Sequence, residues 1–105
     1  MLIGVGVSKG YARGRAQVLR SLEDIGKADK GNIVVIPYSD VGWTPAFLNA
    51  RAVVSEAGGI LSHAAIIARE IGIPAVVSVN GAMSIKDGSM LEVNGYSGEI
   101  KILEN

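Results

Sequence analysis

Three short, unbroken apolar runs constrain this chain more than any other feature: Ile33-Val34-Val35-Ile36, Ala52-Val53-Val54 and Ala75-Val76-Val77. None alternates with polar residues. Their β-branched side chains favour strands, and unbroken apolarity suits a strand covered on both faces. Pro37 ends the first run, and Glu56-Ala57-Gly58-Gly59 makes a turn after the second. With two or three helices between such strands, the 105 residues read as one compact α/β domain over residues 1–105.

Two further stretches, Ile3 to Val7 and Arg13 to Leu19, alternate with period two and read as strands joined by a glycine-bearing turn. Ser21 to Ile25 reads as a single turn. Thr44-Pro45 looks like a helix start, with Thr44 as the cap and Pro45 in the first helical position. Trp43 and Leu48 are spaced to staple that cap, and the helix ends near Asn49. Ser62 to Ile71 is the best-marked helix, capped by Ser62 and stopped by Gly72 and Pro74. Met90 to Val93 and Glu99 to Ile102 read as a hairpin whose turn opens on Asn94-Gly95 and closes at Gly98. Glycine is scattered along the chain at about twice ordinary usage, which suits many tight turns.

Composition removes several function classes. Ten basic and ten acidic residues cancel without forming a basic stripe, so no nucleic-acid partner is expected. The absence of cysteine removes disulfide scaffolds, thiolate catalysis and thiolate metal sites. No apolar run is long enough for a membrane span, and the start lacks a basic leader, so a cytoplasmic protein is expected.

His63 is the only histidine. An isolated histidine is ordinarily a polar surface residue or a half-buried one with its hydrogen bonds met. Its surroundings argue for more. Gly58 and Gly59 allow close backbone approach, and Ser62 caps the helix that His63 begins. First-turn N–H groups are expected to point outward unpaired at the positive end of the helix dipole, where an anion such as phosphate is stabilised. A neutral imidazole, with a reference pKa of about 6.5, is a competent nucleophile near neutral pH, and the positive helix end favours that form. Ala64, Ile67, Ala68 and Ile71 form the expected core-facing stripe, leaving Ile66 exposed beside His63 as ordinary surface or as a docking contact.

Other chemistries fit poorly. No second histidine or cysteine joins His63 as a metal ligand, so no metal site is expected. Ser62 is adjacent to His63 in sequence and no nucleophile elbow is present, which disfavours a hydrolase triad. Gly4-Val5-Gly6 lacks the third glycine and following helix of a dinucleotide fingerprint.

The stretch from Gly58 to Val77, Gly-Gly-Ile-Leu-Ser-His-Ala-Ala-Ile-Ile-Ala-Arg-Glu-Ile-Gly-Ile-Pro-Ala-Val-Val, closely resembles the phosphohistidine motif of the phosphoenolpyruvate-utilising enzymes. The resemblance extends to Trp43-Thr44-Pro45, to Gly4 through Ala16 and to Asp87 through Ile100, and so covers nearly the whole chain. It is nearest to the synthase-related and rifampin phosphotransferase-type branches. It implies a three-layered, swivelling β/β/α domain with His63 as the phosphorylated residue and Gly58, Gly59 and Ser62 shaping its surroundings. Leu61 stands where several members carry threonine, so a hydroxyl near the imidazole is expected to be missing. Arg69 matches the motif and is read as a solvated or domain-packing side chain or as a phosphate contact.

The resemblance also implies partners. A nucleotide-binding domain and a substrate domain for pyruvate, phosphoenolpyruvate or another acceptor would lie outside this chain, with ATP and Mg on those partners and no cofactor on this domain. The expectation is a phosphotransferase component with no turnover alone, either a stand-alone phosphohistidine carrier or an excised domain of a larger enzyme. A different class of function is a non-catalytic binding or regulatory module that kept the fold. A third, sharing only the fold, is the swivel subunit of an aconitase-like dehydratase.

Overall fold

The computed structural model describes residues 1–27 and 31–104. The three apolar runs become β4 (Ile33–Ile36), β5 (Ala52–Ser55) and β6 (Ala75–Val77), which lie side by side and parallel. Two helices connect them: α1 (Thr44–Leu48) between β4 and β5, and α2 (His63–Ile71) between β5 and β6. The remaining strands are β1 (Leu2–Ile3), β2 (Val5–Ser8), β3 (Tyr11–Val18), β7 (Met90–Asn94) and β8 (Glu99–Glu104). The eight strands run in the order β1-β8-β7-β3-β4-β5-β6-β2.

Unbroken apolarity has the expected cause. On one face of the central strands, Val34, Ile36, Val53 and Val77 pack with Trp43, Phe47, Ala64, Ala65 and Ala68 of the helical layer. On the other, Ile33, Val35, Val54 and Val76 pack with Leu91, Val93 and Ile100 of the β7–β8 layer. The domain is therefore helix layer, sheet, second sheet, with the parallel strands covered on both sides.

Ile3 to Val7 is not one strand. The chain breaks at Gly4, and β1 pairs antiparallel with β8 while β2 pairs antiparallel with β6. Nor do β2 and β3 form a hairpin: β3 pairs with β4 and β7. The two ends of the strand order are joined across one residue, so the sheet curls until its edges meet at Gly4. Gly4 donates its N–H to the Gly98 carbonyl at 2.8 Å. A Cβ at Gly4 would lie 2.4 Å from the Val77 carbonyl oxygen, so only glycine fits this crossing.

The entry to α1 also differs. A 3-10 turn over Val41–Trp43 runs directly into the helix, and the Asp40 carboxylate accepts from the Gly42 N–H at 3.0 Å. Asp40 is thus the cap, Thr44 is already helical and Pro45 is the second residue. No staple forms, because Trp43 is fully buried and Leu48 is exposed. Trp43 instead joins the helical core and meets Tyr38 edge-on, with ring centroids 6.1 Å apart.

In α2 the expected caps hold: Ser62 at the start and Gly72, at φ 87°, at the end. The buried face is Ala64, Ala65 and Ala68, with Ile67 partly covered and Ile71 at the exposed rim. Three alanines let the helix sit close to the sheet, and that tilts the buried stripe toward Ala65. In the β7–β8 turn, Asn94 Oδ1 accepts from the Tyr96 and Ser97 N–H groups. Among the described residues, no helix is long and apolar enough to cross a membrane.

Candidate functional site

His63 is the first residue of α2 and is half-buried. Its Nε2 lies 2.8 Å from Thr44 Oγ1 on α1. A hydroxyl does therefore reach the imidazole, contrary to the expectation drawn from Leu61; it comes from 19 residues upstream. The displaced cap explains why it is free to do so. Asp40 caps the turn, and Thr44, turned one step into the helix, faces α2.

Thr44 also donates its hydroxyl proton to the Val41 carbonyl at 2.7 Å. A hydroxyl has one proton. While Val41 holds it, Thr44 can only accept, so Nε2 carries the imidazole proton and the lone pair is on Nδ1. If the proton turns to Nε2 instead, that nitrogen's lone pair is occupied and Val41 is released. In either arrangement Thr44 occupies Nε2, and attack through Nε2 requires the ring to leave Thr44.

The helix start is less open than the dipole argument expects. Ala64 donates its N–H to Ser39 Oγ at 2.5 Å, and Ala65 donates to Ser62 Oγ at 3.4 Å. Of the first three N–H groups only that of His63 has no partner among the described residues. The physical reason is ordinary: a helix start packed against a loop is satisfied by hydroxyls rather than left bare. A phosphoryl oxygen on this site would meet the His63 N–H directly and the others only by displacing a serine.

The two glycines are not equivalent. Gly58 has φ 126°, a conformation that side chains resist, and its carbonyl accepts from Ser78 Oγ–H at 2.7 Å. Ser78 itself sits at φ 55°. Gly59 has open space around it, and its carbonyl accepts from the Ser62 N–H at 3.0 Å. Arg69 is neither merely solvated nor aimed at His63. Its Nε–H donates to the Val7 carbonyl at 2.7 Å and an Nη2–H to the Ile60 carbonyl at 2.8 Å, tying the loop before α2 to β2.

The fold brings the four residues singled out from the sequence, His63, Gly58, Gly59 and Ser62, to one helix start. Sequence reasoning misses Thr44 as a partner of His63, and it misses Ser39 and Ser78. The Trp43-Thr44-Pro45 signal was present, but it pointed to a cap rather than across to α2.

A curled sheet with one helical face, and a lone histidine at the start of its second helix, define a swivelling-type β/β/α domain that presents an imidazole. The chain belongs to the PEP-utilising enzyme mobile-domain family, whose pattern residues 28–98 match. The rifampicin phosphotransferase of Bacillus cereus is 45% identical over 103 residues, covering 97% of this chain and 12% of that protein. This chain therefore corresponds to a small part of such relatives. A solution structure of Enzyme I is similar with a TM-score of 0.64 and 25% identity, over 78% of this chain and 34% of that one. Aconitase X of Thermococcus kodakaraensis is similar with a TM-score of 0.69 at 23% identity, over 98% of both chains, a likeness of fold alone.

Proposed function

We propose that His63 is a phosphoryl relay: it accepts a phosphoryl group from a donor held on another domain and passes it to an acceptor held on a third. The observation that carries this reading is the half-buried imidazole at the start of α2, with Nε2 2.8 Å from Thr44 Oγ1. In the first step a nitrogen–phosphorus bond forms as the donor's oxygen–phosphorus bond breaks, and ADP, or enolpyruvate, leaves. In the second step the acceptor oxygen takes the phosphoryl group and the imidazole is restored. ATP with Mg, or phosphoenolpyruvate, would sit on the partner domains, which supply the charge stabilisation this step needs. This domain alone would have no turnover. The test is to incubate the chain with a family donor and labelled ATP or phosphoenolpyruvate. Acid-labile, base-stable label that peptide mass spectrometry places on His63 supports the relay.

A non-catalytic module with the same fold is the second reading. Ser39 and Ser62 favour it to the extent that they close two N–H groups a phosphate could use. Failure of every competent donor to label the protein would select it.

Thr44 separates the two further. In a relay, Thr44→Val keeps the side-chain shape but frees the ring, and labelling slows roughly 10- to 100-fold, the cost of a misplaced reacting group. Stability falls by only about 1 kcal/mol. Thr44→Ser retains the rate. Nitrogen-15 chemical shifts of His63 register the altered proton distribution between Nδ1 and Nε2. An unchanged labelling rate in Thr44→Val would show that the contact does not position the nucleophile.

A further inference from the structure

The residues framing His63 are almost free of charge. Segments 38–48 and 57–67 together contain 22 residues, yet of the chain's 20 Asp, Glu, Lys and Arg residues they hold only Asp40. The other 83 residues hold the remaining 19. The same two segments expose Tyr38, Val41, Leu48, Ile60, Leu61 and Ile66, with Leu61 84% and Val41 68% accessible.

The two segments meet at the contact between Thr44 and His63. Thr44 touches His63 and bonds the Val41 carbonyl. Leu48 is one turn along α1 from Thr44, and Ile66 is one turn along α2 from His63, so each shares a face with the contacting pair. Ile60 and Leu61 stand in the loop just before the helix. That loop is held from behind, the Gly58 carbonyl by Ser78 and the Ile60 carbonyl by Arg69. An apolar loop free to move would fold its leucine away from water; this one is pinned with it outward.

We propose that this apolar collar is the docking surface for the domain that donates the phosphoryl group, and that it meets an apolar, uncharged rim there. The inference rests on the relay reading above. Phosphoryl transfer brings the reacting atoms to about 3–3.5 Å. A half-buried imidazole reaches a donor at that distance only when the donor's protein surroundings sit on the collar. Relatives carry this domain as 12% of their length, so they contain protein in which such a rim can lie. Charge logic selects the rim's chemistry. The collar's own side chains include one charge, the Asp40 carboxylate already engaged at the Gly42 N–H, and the cation bonded to its backbone, Arg69, is held by the Val7 and Ile60 carbonyls. Recognition then comes from apolar burial, which is insensitive to salt.

The test measures labelling of the whole chain against its concentration. The donor is Bacillus cereus rifampicin phosphotransferase with the matching 12% deleted, supplied with labelled ATP. Phosphoramidate, a small donor that needs no docking, serves as the control. Leu61→Asp and Ile66→Asp are expected to raise KM for the chain about tenfold or more, as lost burial of one large side chain predicts. Labelling by phosphoramidate and the saturated rate stay unchanged. Raising salt from roughly 0.05 to 0.5 M changes KM of the wild-type chain less than about threefold. KM unchanged in both variants, or rising steeply with salt, overturns the collar. So does labelling of the wild-type chain by phosphoramidate but never by the donor protein. So does a concentration-dependent dimer that Leu61→Asp dissociates with no change in KM, since the collar would then cover a second copy. Failure of His63 to take phosphate from either donor overturns the relay itself.

Discussion

Replacing His63 with asparagine is expected to abolish acid-labile labelling, a loss of at least about 10⁴-fold in transfer rate, as removal of a covalent nucleophile produces. No other side chain can substitute. His63 is the only imidazole in the chain, and there is no cysteine. The nearby hydroxyls of Thr44, Ser39 and Ser62 are each engaged in a hydrogen bond. Asparagine retains a polar group of similar reach that can meet Thr44, and the residue is only half-buried, so folding should be little affected. The measurement is filter-bound label after acid and after base, with the thermal melt of both proteins recorded beside it. Label of undiminished acid lability on His63→Asn would remove His63 from the chemistry. Acid-stable label on both proteins would move the phosphate to a hydroxyl.

Much of the fold was legible because burial writes itself into composition. The runs at Ile33, Ala52 and Ala75 are apolar on both sides because both sides are covered, and all three are strands. The helix from His63 to Ile71 was marked at both ends by residues whose chemistry is local, Ser62 and Gly72. What failed was non-local. Alternation from Ile3 to Val7 records which face is buried but not which neighbour each half pairs with, and the two halves pair with β8 and β6. Thr44 has a cap's identity, but Asp40 is also a capping residue four positions earlier, and local rules do not rank the two. The site shows the same division. Gly58, Ser62 and His63 are close in sequence and can be singled out together. Thr44, Ser39 and Ser78 reach the same loop from 15 to 24 residues away, through the packing of α1 and the exit of β6.

Gly95→Ala is expected to destabilise the domain by about 3–5 kcal/mol, at the severe end for a single methyl group. The added Cβ would lie 2.0 Å from the Ser8 carbonyl oxygen and 3.3 Å from that of Gly10. Neither is a flexible side chain that could swing aside. The chain would have to open where the sheet's two edges meet, and there the contacts are mutual: Gly95 donates to the Gly10 carbonyl, a Cβ at Gly6 would meet the Gly95 carbonyl, and one at Gly98 would meet that of Gly4. Relief at one point therefore strains the next. For a domain whose total stability is roughly 5–15 kcal/mol, such a loss lowers the melting temperature by about 12 °C or more. Gly59→Ala is the control, since nothing lies within 4 Å of its Cβ, and it should alter stability by no more than about 1 kcal/mol. Urea titration followed by fluorescence of Trp43, the single tryptophan and fully buried, measures both. Near-wild-type stability in Gly95→Ala would mean that the edges are not closed against one another. The consequence reaches the site as well: β2 is one side of that seam, and its Val7 carbonyl anchors Arg69, which holds the loop before His63. A variant with a loosened seam that still folds should label more slowly than its melting temperature alone accounts for, because the fold's closure is also what fixes the histidine's surroundings.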